Sequence, residues 1–225
     1  MTSLSVIKAL NKLKSKERAV VSARYFKTGI GQYGEGDIFI GVTVPDQRKI
    51  AKKFKALPFN EIEVLLKSKI HEHRLTALLI LGSKKIDKEV YDFYMNHLPY
   101  VNNWDLVDSS AHIIGEYLFD RDRMILELLS SSDKIWERRI AIIATHYFIR
   151  KKDFSTTFVI SEKLLGDYHD LIHKAVGWSL REVGKKDKQA LVDFLTRFSK
   201  NMPRTALRYA IEHFSDAERK SIMAR

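Results

Sequence analysis

The chain of 225 residues carries 39 Lys and Arg against 28 Asp and Glu, a formal net charge of +11, which favours nucleic acid ahead of a ribosome or an anionic membrane surface as partner. The absence of Cys excludes disulfides, thiol nucleophiles and Cys-ligated zinc. The sequence has neither the apolar core of a signal peptide nor a run long enough to span a bilayer, so we expect a cytoplasmic protein.

Apolar residues recur at intervals of three and four from one end of the chain to the other, and only four Pro and ten Gly interrupt them. This spacing predicts an all-α fold, because one face of an α-helix repeats every 3.6 residues. The predicted helices, with a short one after the last, lie at about 4–14, 16–26, 43–54, 59–68, 71–84, 87–97, 103–118, 121–130, 134–150, 154–165, 169–184, 187–199 and 202–213.

Residues 28–44 contain five of the ten glycines and interrupt the helical pattern. The segment from Gly29 to Gly34 matches the dinucleotide-binding pattern GxGxxG. That motif requires a preceding strand, and here a helical pattern precedes it, so we do not predict a nucleotide site. Glycine permits positive φ and close approach of another backbone. The sequence therefore predicts a loop that packs tightly against a neighbouring segment.

Segments that combine a basic residue with apolar neighbours recur along the chain. Their basic residues, which follow one another at separations of 65, 35 and 30 residues, are Arg74, Arg139, Lys174 and Arg204. The helix at Trp104 occupies the place of the copy missing from the longest interval. Paired helices with a period of 30 to 35 residues are typical of HEAT-like solenoids, whose concave surface is lined by the same helix of every repeat. We expect residues 1–225 to form a single HEAT-like domain with a concave basic groove.

Trp104 and Asp108 stand four residues apart in a predicted helix, so they project from the same side. Asn102 and Asn103 precede them as capping residues. A carboxylate beside an indole, on a helix that packs on two sides, is either paired or positioned for a positive partner. Spacing leaves both readings open: Asp108 bonded to a neighbouring helix or cap, or Asp108 facing a cationic ligand.

A third Trp is grouped with basic residues on the helix at 169–184. The residues that lie off its apolar stripe, and that favour a stacking surface, are Lys174, Trp178 and Arg181. On the helix at 134–150, Arg138 and Arg139 both flank the stripe, and periodicity does not choose between them. The eight His residues include no HExxH spacing, so we predict no metal.

Five segments stand out together: Ala23-Arg24-Tyr25-Phe26-Lys27, Val44-Pro45-Asp46-Gln47-Arg48, Asn103-Trp104-Asp105-Leu106-Val107-Asp108, Trp136-Glu137-Arg138-Arg139-Ile140-Ala141 and Lys174-Ala175-Val176-Gly177-Trp178-Ser179-Leu180-Arg181-Glu182. They resemble the AlkD-type DNA alkylation repair glycosylases over nearly the whole chain. The resemblance implies a HEAT-like fold that holds duplex DNA in its concave groove. It also implies hydrolysis of the N-glycosidic bond of N3- and N7-alkylated purines, in base excision repair. We expect a monomer without a cofactor.

The resemblance also implies roles for individual residues. Trp104 and Asp108 fall on the catalytic Trp and Asp of the WDxVD motif, and Trp178 falls on the Trp of the last segment. The catalytic Arg of the W-x-x-R segment falls on Arg139 rather than Arg138. The residues expected to contact DNA are Tyr25, Arg48, Lys174 and Arg181.

One departure from the family pattern is Asn103, which stands where relatives often carry a Trp. The alternative function is a non-catalytic HEAT-like protein that binds nucleic acid or serves as a scaffold. Such a protein needs the same charge and repeats, but it has no reason to place a particular set of residues on one surface. That set is Trp104, Asp108, Arg139 and Trp178.

Overall fold

The computed structural model describes residues 1–224 and is all-α, as the sequence predicts. Its helices are α1 (Ser3–Asn11), α2 (Lys16–Tyr25), α3 (Val44–Lys53), α4 (Phe59–Leu66), α5 (His71–Leu81), α6 (Lys88–Asn96), α7 (Trp104–Ser110), α8 (His112–Tyr117), α9 (Met124–Ser130), α10 (Ile135–Ala144), α11 (His146–Arg150), α12 (Ser155–Leu164), α13 (Asp170–Lys186), α14 (Lys188–Phe198), α15 (Arg204–Ala210) and α16 (Asp216–Met223). Two 3-10 turns lie at Leu98–Tyr100 and Ser199–Asn201. Extended backbone within residues 1–224 pairs in one isolated bridge, between Ile38 and Ile70.

The chain divides into two compact units, and the first comprises residues 1–113. In the first unit, α5 packs against α3, α4 and α7. In the second unit, α13 packs against α10, α14 and α15, and α10 packs against α9. The single HEAT-like domain expected over residues 1–225 stays a prediction.

Two glycines of the second unit allow close contacts between helices, and each contacts a residue the same number of positions further along the chain. A Cβ added to Gly115 would lie 2.1 Å from the carbonyl oxygen of Ala144, and one added to Gly177 would lie 2.5 Å from that of Ala206. Each glycine therefore meets the backbone 29 residues later, and a Tyr follows three residues beyond in both cases. This common offset agrees with a helical repeat of about 30 residues.

The register of the repeat is marked by three basic residues, each of which donates to the main-chain oxygen six residues earlier. The bonds are Arg74 Nη1 to Ser68 O (2.8 Å), Arg138 Nη1 to Ser132 O (2.9 Å) and His173 Nε2 to Asp167 O (2.5 Å). Each bond ties the first turn of a helix to the loop before it. Arg74 therefore corresponds to Arg138 and His173. The register predicted from the sequence aligns Arg74 with Arg139 and Lys174 in the other copies, and these bonds place the equivalent residue one position earlier.

Two helices predicted as continuous are each broken once. The helix predicted at 103–118 divides at Ala111, and the one at 134–150 divides at Thr145. Near each break a hydroxyl donates to an earlier carbonyl: Ser110 Oγ to Leu106 O (2.6 Å) and Thr145 Oγ1 to Ile142 O (2.7 Å). Such bonds compete with the backbone ladder and bend helices, so local polar chemistry overrides the apolar period here.

The glycine-rich segment is a tightly packed loop, as the sequence predicts. Gly36 and Gly41 have positive φ. A Cβ at Gly34 would lie 2.2 Å from Phe26 O, and a Cβ at Gly41 would lie 2.2 Å from Ser15 O. Ser15 caps the start of α2 and Phe26 follows its end. The loop therefore packs backbone to backbone against both ends of α2.

We expect Gly41→Ala to destabilise the protein by about 2 kcal/mol more than Gly36→Ala. Both glycines have positive φ, 78° and 87°, so both substitutions carry the cost of a left-handed Cβ, about 1–2 kcal/mol. Only at Gly41 does the new Cβ also collide with backbone, whereas Gly36 has nothing within 4 Å. Urea unfolding of the two variants measures the difference. Equal losses would contradict the close packing of Gly41 on α2.

The first turn of α5 places four polar side chains inside the first unit. Every residue of α5 except Leu79 is buried, and its first four residues are His71, Glu72, His73 and Arg74. Buried polar groups need hydrogen-bond partners. Each of these four side chains forms at least one hydrogen bond, with the glycine-rich loop, with α7 or with the turn before α5, while His73 Nε2 and Arg74 Nε have no partner within residues 1–224.

Candidate active site

α7 begins one residue inside the predicted start and carries Trp104 and Asp108. Asn103 is its N-cap, with φ −150° and ψ 158°, and the Asn103 Oδ1 accepts the Trp104 N–H at 2.8 Å. Trp104 and Asp108 are half-buried, whereas Leu106 and Val107 are fully buried. The two candidate catalytic side chains therefore share the accessible side of α7, about one helical turn apart.

Trp104 belongs to an aromatic stack. Its ring lies nearly parallel to that of Phe26, with centroids 5.2 Å apart and an interplanar angle of 12°. Phe26 stacks in turn on Phe39 at 4.9 Å. Tyr25, which is 64% exposed, meets Trp104 edge-on at 6.0 Å. The sequence singled out Tyr25 and Trp104 but missed the support from Phe26 and Phe39, because periodicity does not link a helix end to a distant loop.

A network of buried charges adjoins the start of α7. His71 donates from Nε2 to Asp105 Oδ2 at 2.8 Å and from Nδ1 to Asp37 Oδ2 at 2.9 Å. Asp37 also accepts from Asn103 Nδ2 at 3.0 Å and from the Arg74 guanidinium. Asn103 therefore belongs to a polar cluster.

The hydrogen bonds of this network keep His71 and Asp37 charged. Burial alone would lower the pKa of His71, but the bonds to Asp105 and Asp37 outweigh burial and raise that pKa to about 9. Burial would likewise raise the pKa of Asp37, and the contacts with His71, Arg74 and Asn103 lower it instead. His71 is therefore an imidazolium between two carboxylates at neutral pH. The sequence assigned no role to His71, because both its partners lie 34 residues away along the chain.

Asp108 lies near a buried tyrosine. The Tyr94 hydroxyl forms a hydrogen bond with Ser110 Oγ at 2.8 Å. Burial raises the pKa of Tyr94, and the negative charge of Asp108 raises it further against the opposing effect of the Ser110 bond. The N-cap of α7 is Asn103, so α7 does not need Asp108 as a cap.

A cavity of about 360 Å³ opens beside this network. Its walls include the rings of Phe26 and Phe39 and the polar groups of His71, Glu72 and Asp105. The Glu72 carboxylate is fully engaged, since it accepts the backbone N–H groups of Ile40, Gly41 and Val42. The polar part of the lining thus serves to fix the loop on α5.

Arg138 and Arg139 are both buried in α10, and they have different partners. Arg138 Nε pairs with Asp167 Oδ2 at 2.6 Å. Arg139 donates from Nη1 to the Leu171 carbonyl oxygen at 2.5 Å, in the first turn of α13. Arg138 is thus engaged in a buried ion pair, and Arg139, the residue implied to be catalytic, contacts the start of the helix that carries Trp178.

The apolar stripe predicted for α13 is confirmed, with Ile172, Ala175, Val176, Ser179, Leu180 and Val183 all buried. Trp178 lies off this stripe and is half-buried. The His146 ring packs edge-on against Trp178, at 4.5 Å and 80°, and its Nε2 forms a hydrogen bond with Ser179 Oγ at 2.8 Å. Burial lowers the pKa of His146 to about 4, so this imidazole is neutral at neutral pH.

Lys174 and Arg181 line an open groove of about 720 Å³ formed by α13 and α15. Lys174 Nζ pairs with Asp170 at 2.7 Å, and Arg181 pairs with Glu212. Arg208 lines the same groove. The two predicted cations therefore lie together, and an anionic ligand would have to compete with carboxylates for them.

Arg48 is exposed on α3, and its side chain makes no hydrogen bond or ion pair with any residue of 1–224. Its neighbour Lys49 pairs with Asp46 at 3.2 Å. The structure brings Tyr25 and Trp104 together, and in the described chain the Arg48 side chain forms neither a hydrogen bond nor a cation–π contact with either of them.

Over the described part of the chain, no group of three or more His, Asp or Glu side chains is arranged to hold a metal ion. The helices between residues 1 and 224 include none that is both long and apolar enough to cross a membrane.

Comparisons with known proteins agree with the fold. The chain has a TM-score of 0.76 and 19% identity to a solved structure titled as a predicted DNA alkylation repair enzyme from Enterococcus faecalis, covering 90% of this chain and 97% of that one. Against the crystal structure of AlkD2 from Streptococcus mutans the values are 0.58 and 18%, covering 95% and 97%. No curated protein sequence matches the chain. The family described as DNA alkylation repair enzyme matches residues 6–214, and the chain therefore belongs to the DNA alkylation repair enzyme family.

Proposed function

We propose that this protein is a DNA glycosylase of base excision repair, which hydrolyses the N-glycosidic bond of cationic N3- or N7-alkylated purines in duplex DNA. The observation that carries the proposal is an accessible carboxylate, Asp108, one turn from an accessible indole, Trp104. Membership of the DNA alkylation repair family and the net charge of +11 support it.

Asp108 supplies the charge that this reaction needs. An N-alkylated purine is already cationic, so it leaves as a neutral base and needs little acid assistance. As its bond to the sugar breaks, the sugar acquires oxocarbenium character. A carboxylate close to that sugar stabilises the positive charge and orients the attacking water. We assign both roles to Asp108.

Trp104 and Trp178 supply aromatic surface for the sugar and the alkylated nucleotide. An aromatic face attracts a cation by about 0.5–2 kcal/mol. The stack on Phe26 holds Trp104, and His146 holds Trp178. Each ring is thus ordered before DNA binds, which reduces the entropic cost of binding.

The basic residues bind the DNA backbone. We assign phosphate contacts to Arg139 and to Lys174, Arg181 and Arg48, and a contact along the duplex to Tyr25. We propose that the protein acts as a monomer and without a cofactor.

Release of 7-methylguanine from a methylated duplex tests the proposal. A glycosylase liberates the free base and leaves an abasic site, which alkali cleaves. A HEAT-like scaffold would bind the same duplex and liberate nothing. That outcome would refute the enzymatic proposal in favour of a binding function.

The affinity for duplex DNA is expected to fall steeply with salt, because each phosphate contact contributes about 0.9 to the slope of log K against log salt. Arg48→Ala, Lys174→Ala and Arg181→Ala should each weaken binding and flatten this slope by about that amount. Lys163→Ala is the matched control, since Lys163 of α12 pairs with Glu127 of α9 and has no assigned role. Fluorescence anisotropy with a labelled duplex measures the slopes. Equal slopes in all four variants would show that the assigned cations do not meet phosphates.

A further inference from the structure

The two residues that flank Trp104 in the chain are tied to one buried network. Before it, Asn103 Nδ2 donates to Asp37 Oδ2 at 3.0 Å. After it, Asp105 Oδ2 accepts from His71 Nε2 at 2.8 Å. Asp37 and Asp105 both contact His71, so the backbone of Trp104 is held on both sides through a single imidazole.

The aromatic stack that supports Trp104 ends at the same imidazole. The His71 ring lies 4.5 Å from Phe39, at 25°, and 5.1 Å from Phe26. Phe26 is the ring on which Trp104 stacks. The position of Trp104 therefore depends on His71 through its backbone and through its side chain.

The imidazole can hold both carboxylates only as a cation. A neutral imidazole has one N–H and an imidazolium has two. The charged groups that face His71 are Asp37 from the glycine-rich loop and Asp105 from α7. Arg74, one turn along α5, pairs with Asp37, and Glu72 holds the loop beside it. Loss of the proton would break one of the two hydrogen bonds and leave a carboxylate buried without its cation.

We propose that His71 is the positioning residue of the site, an imidazolium that joins the glycine-rich loop to α7 and so fixes Trp104 and Asp108. Its catalytic consequence rests on the proposed glycosylase function. The positioning itself is a property of the first unit and can be measured without any excision.

Hydrogen exchange followed by mass spectrometry tests the positioning directly. In His71→Gln, the amides of residues 102–108 should exchange about tenfold faster than in the wild type, while α10 in the second unit keeps its protection. His73→Gln is the matched control, because His73 is buried on the same helix but bonds Ser68. The control should leave residues 102–108 unchanged. Unchanged exchange in a folded His71→Gln protein would overturn the proposal.

A second variant keeps the test decisive if His71→Gln does not fold. Asp105→Asn retains the oxygen that accepts the Leu106 N–H at 2.9 Å but removes the charge that faces His71. It should also speed exchange at residues 102–108. Unchanged exchange in Asp105→Asn would overturn the proposal as well.

The pH profile of excision separates positioning from a merely structural role. The wild-type rate should fall as pH rises through about 9, where His71 loses its proton. His73→Gln should show the same fall, and His71→Gln should be slow throughout and lack it. A fall that persists in His71→Gln would contradict the proposal. If the wild type releases no base, the proposed function fails, and the exchange measurement still decides the positioning.

Discussion

Asp108→Asn is expected to slow the release of 7-methylguanine from duplex DNA at least tenfold, which corresponds to about 1.4 kcal/mol of activation free energy. Asn keeps the shape and the hydrogen-bonding capacity of Asp but removes the negative charge that we assign to the cationic sugar. Affinity for the duplex should be retained or increased, because the lost charge no longer repels phosphates. Single-turnover kinetics and anisotropy on the same duplex measure the two quantities.

Asp193→Asn provides the control for this experiment, since it makes the same change at an exposed position of α14. It should alter neither excision nor affinity. If Asp108 served only to hold a neighbouring helix, Asp108→Asn would lower the melting temperature and excision together. Intact fold, intact binding and lost excision support catalysis. Full activity in Asp108→Asn would refute the role.

The stability of the protein should decline on both sides of neutrality, because one buried histidine, His71, is charged in the folded protein and another, His146, is neutral. His71 has a pKa of about 9 in the folded protein, against an ordinary value of 6.5. Its contribution, about 3 kcal/mol from a shift of that size, is present in full below pH 6.5 and disappears as pH rises through 9. His146 has a pKa of about 4 instead of 6.5. Its similar contribution is present above pH 6.5 and disappears as pH falls through 4.

Urea unfolding of the wild type, His71→Gln and His146→Gln between pH 4 and 10 tests this expectation. Subtracting each variant from the wild type isolates the titration of one group. The wild-type excess over His71→Gln should shrink above pH 6.5, and the excess over His146→Gln should shrink below it. A pH-independent difference in either case would show that the imidazole titrates normally.

The sequence predicted the environment of a side chain correctly where that environment depends only on the position of the residue in its own helix. The buried stripe of α13 and the shared side of Trp104 and Asp108 follow from a spacing of three or four residues. The breaks at Ala111 and Thr145 do not follow from it, because they coincide with hydroxyl side chains that compete for backbone oxygens. Both apolar patterns continue through these positions.

Contacts between distant segments were the other part that sequence could not supply. Asp37 and Asn103 are 66 residues apart, and nothing in the composition of either segment points to the other. In the sequence, nothing distinguishes His71 from the other seven histidines, and only the structure shows its bonds to two carboxylates. The predicted register of the basic repeat differed by one residue for another reason: the local bond that defines it goes to a carbonyl, which every residue has.

The glycine-rich loop has two parts with different freedom to change. Residues 37–42 are clamped by His71 and Glu72, so an insertion there would displace α7. The tip, residues 29–32, bonds within the loop, as in the Gly31 N–H to Glu35 contact at 2.7 Å, and Ile30 is 96% exposed, whereas Gly34 packs closely on Phe26. Length and composition can therefore vary at this tip at little cost, both during evolution and in engineering. A fluorophore attached at position 30 would sit in the same unit as Trp104 and leave the clamp intact.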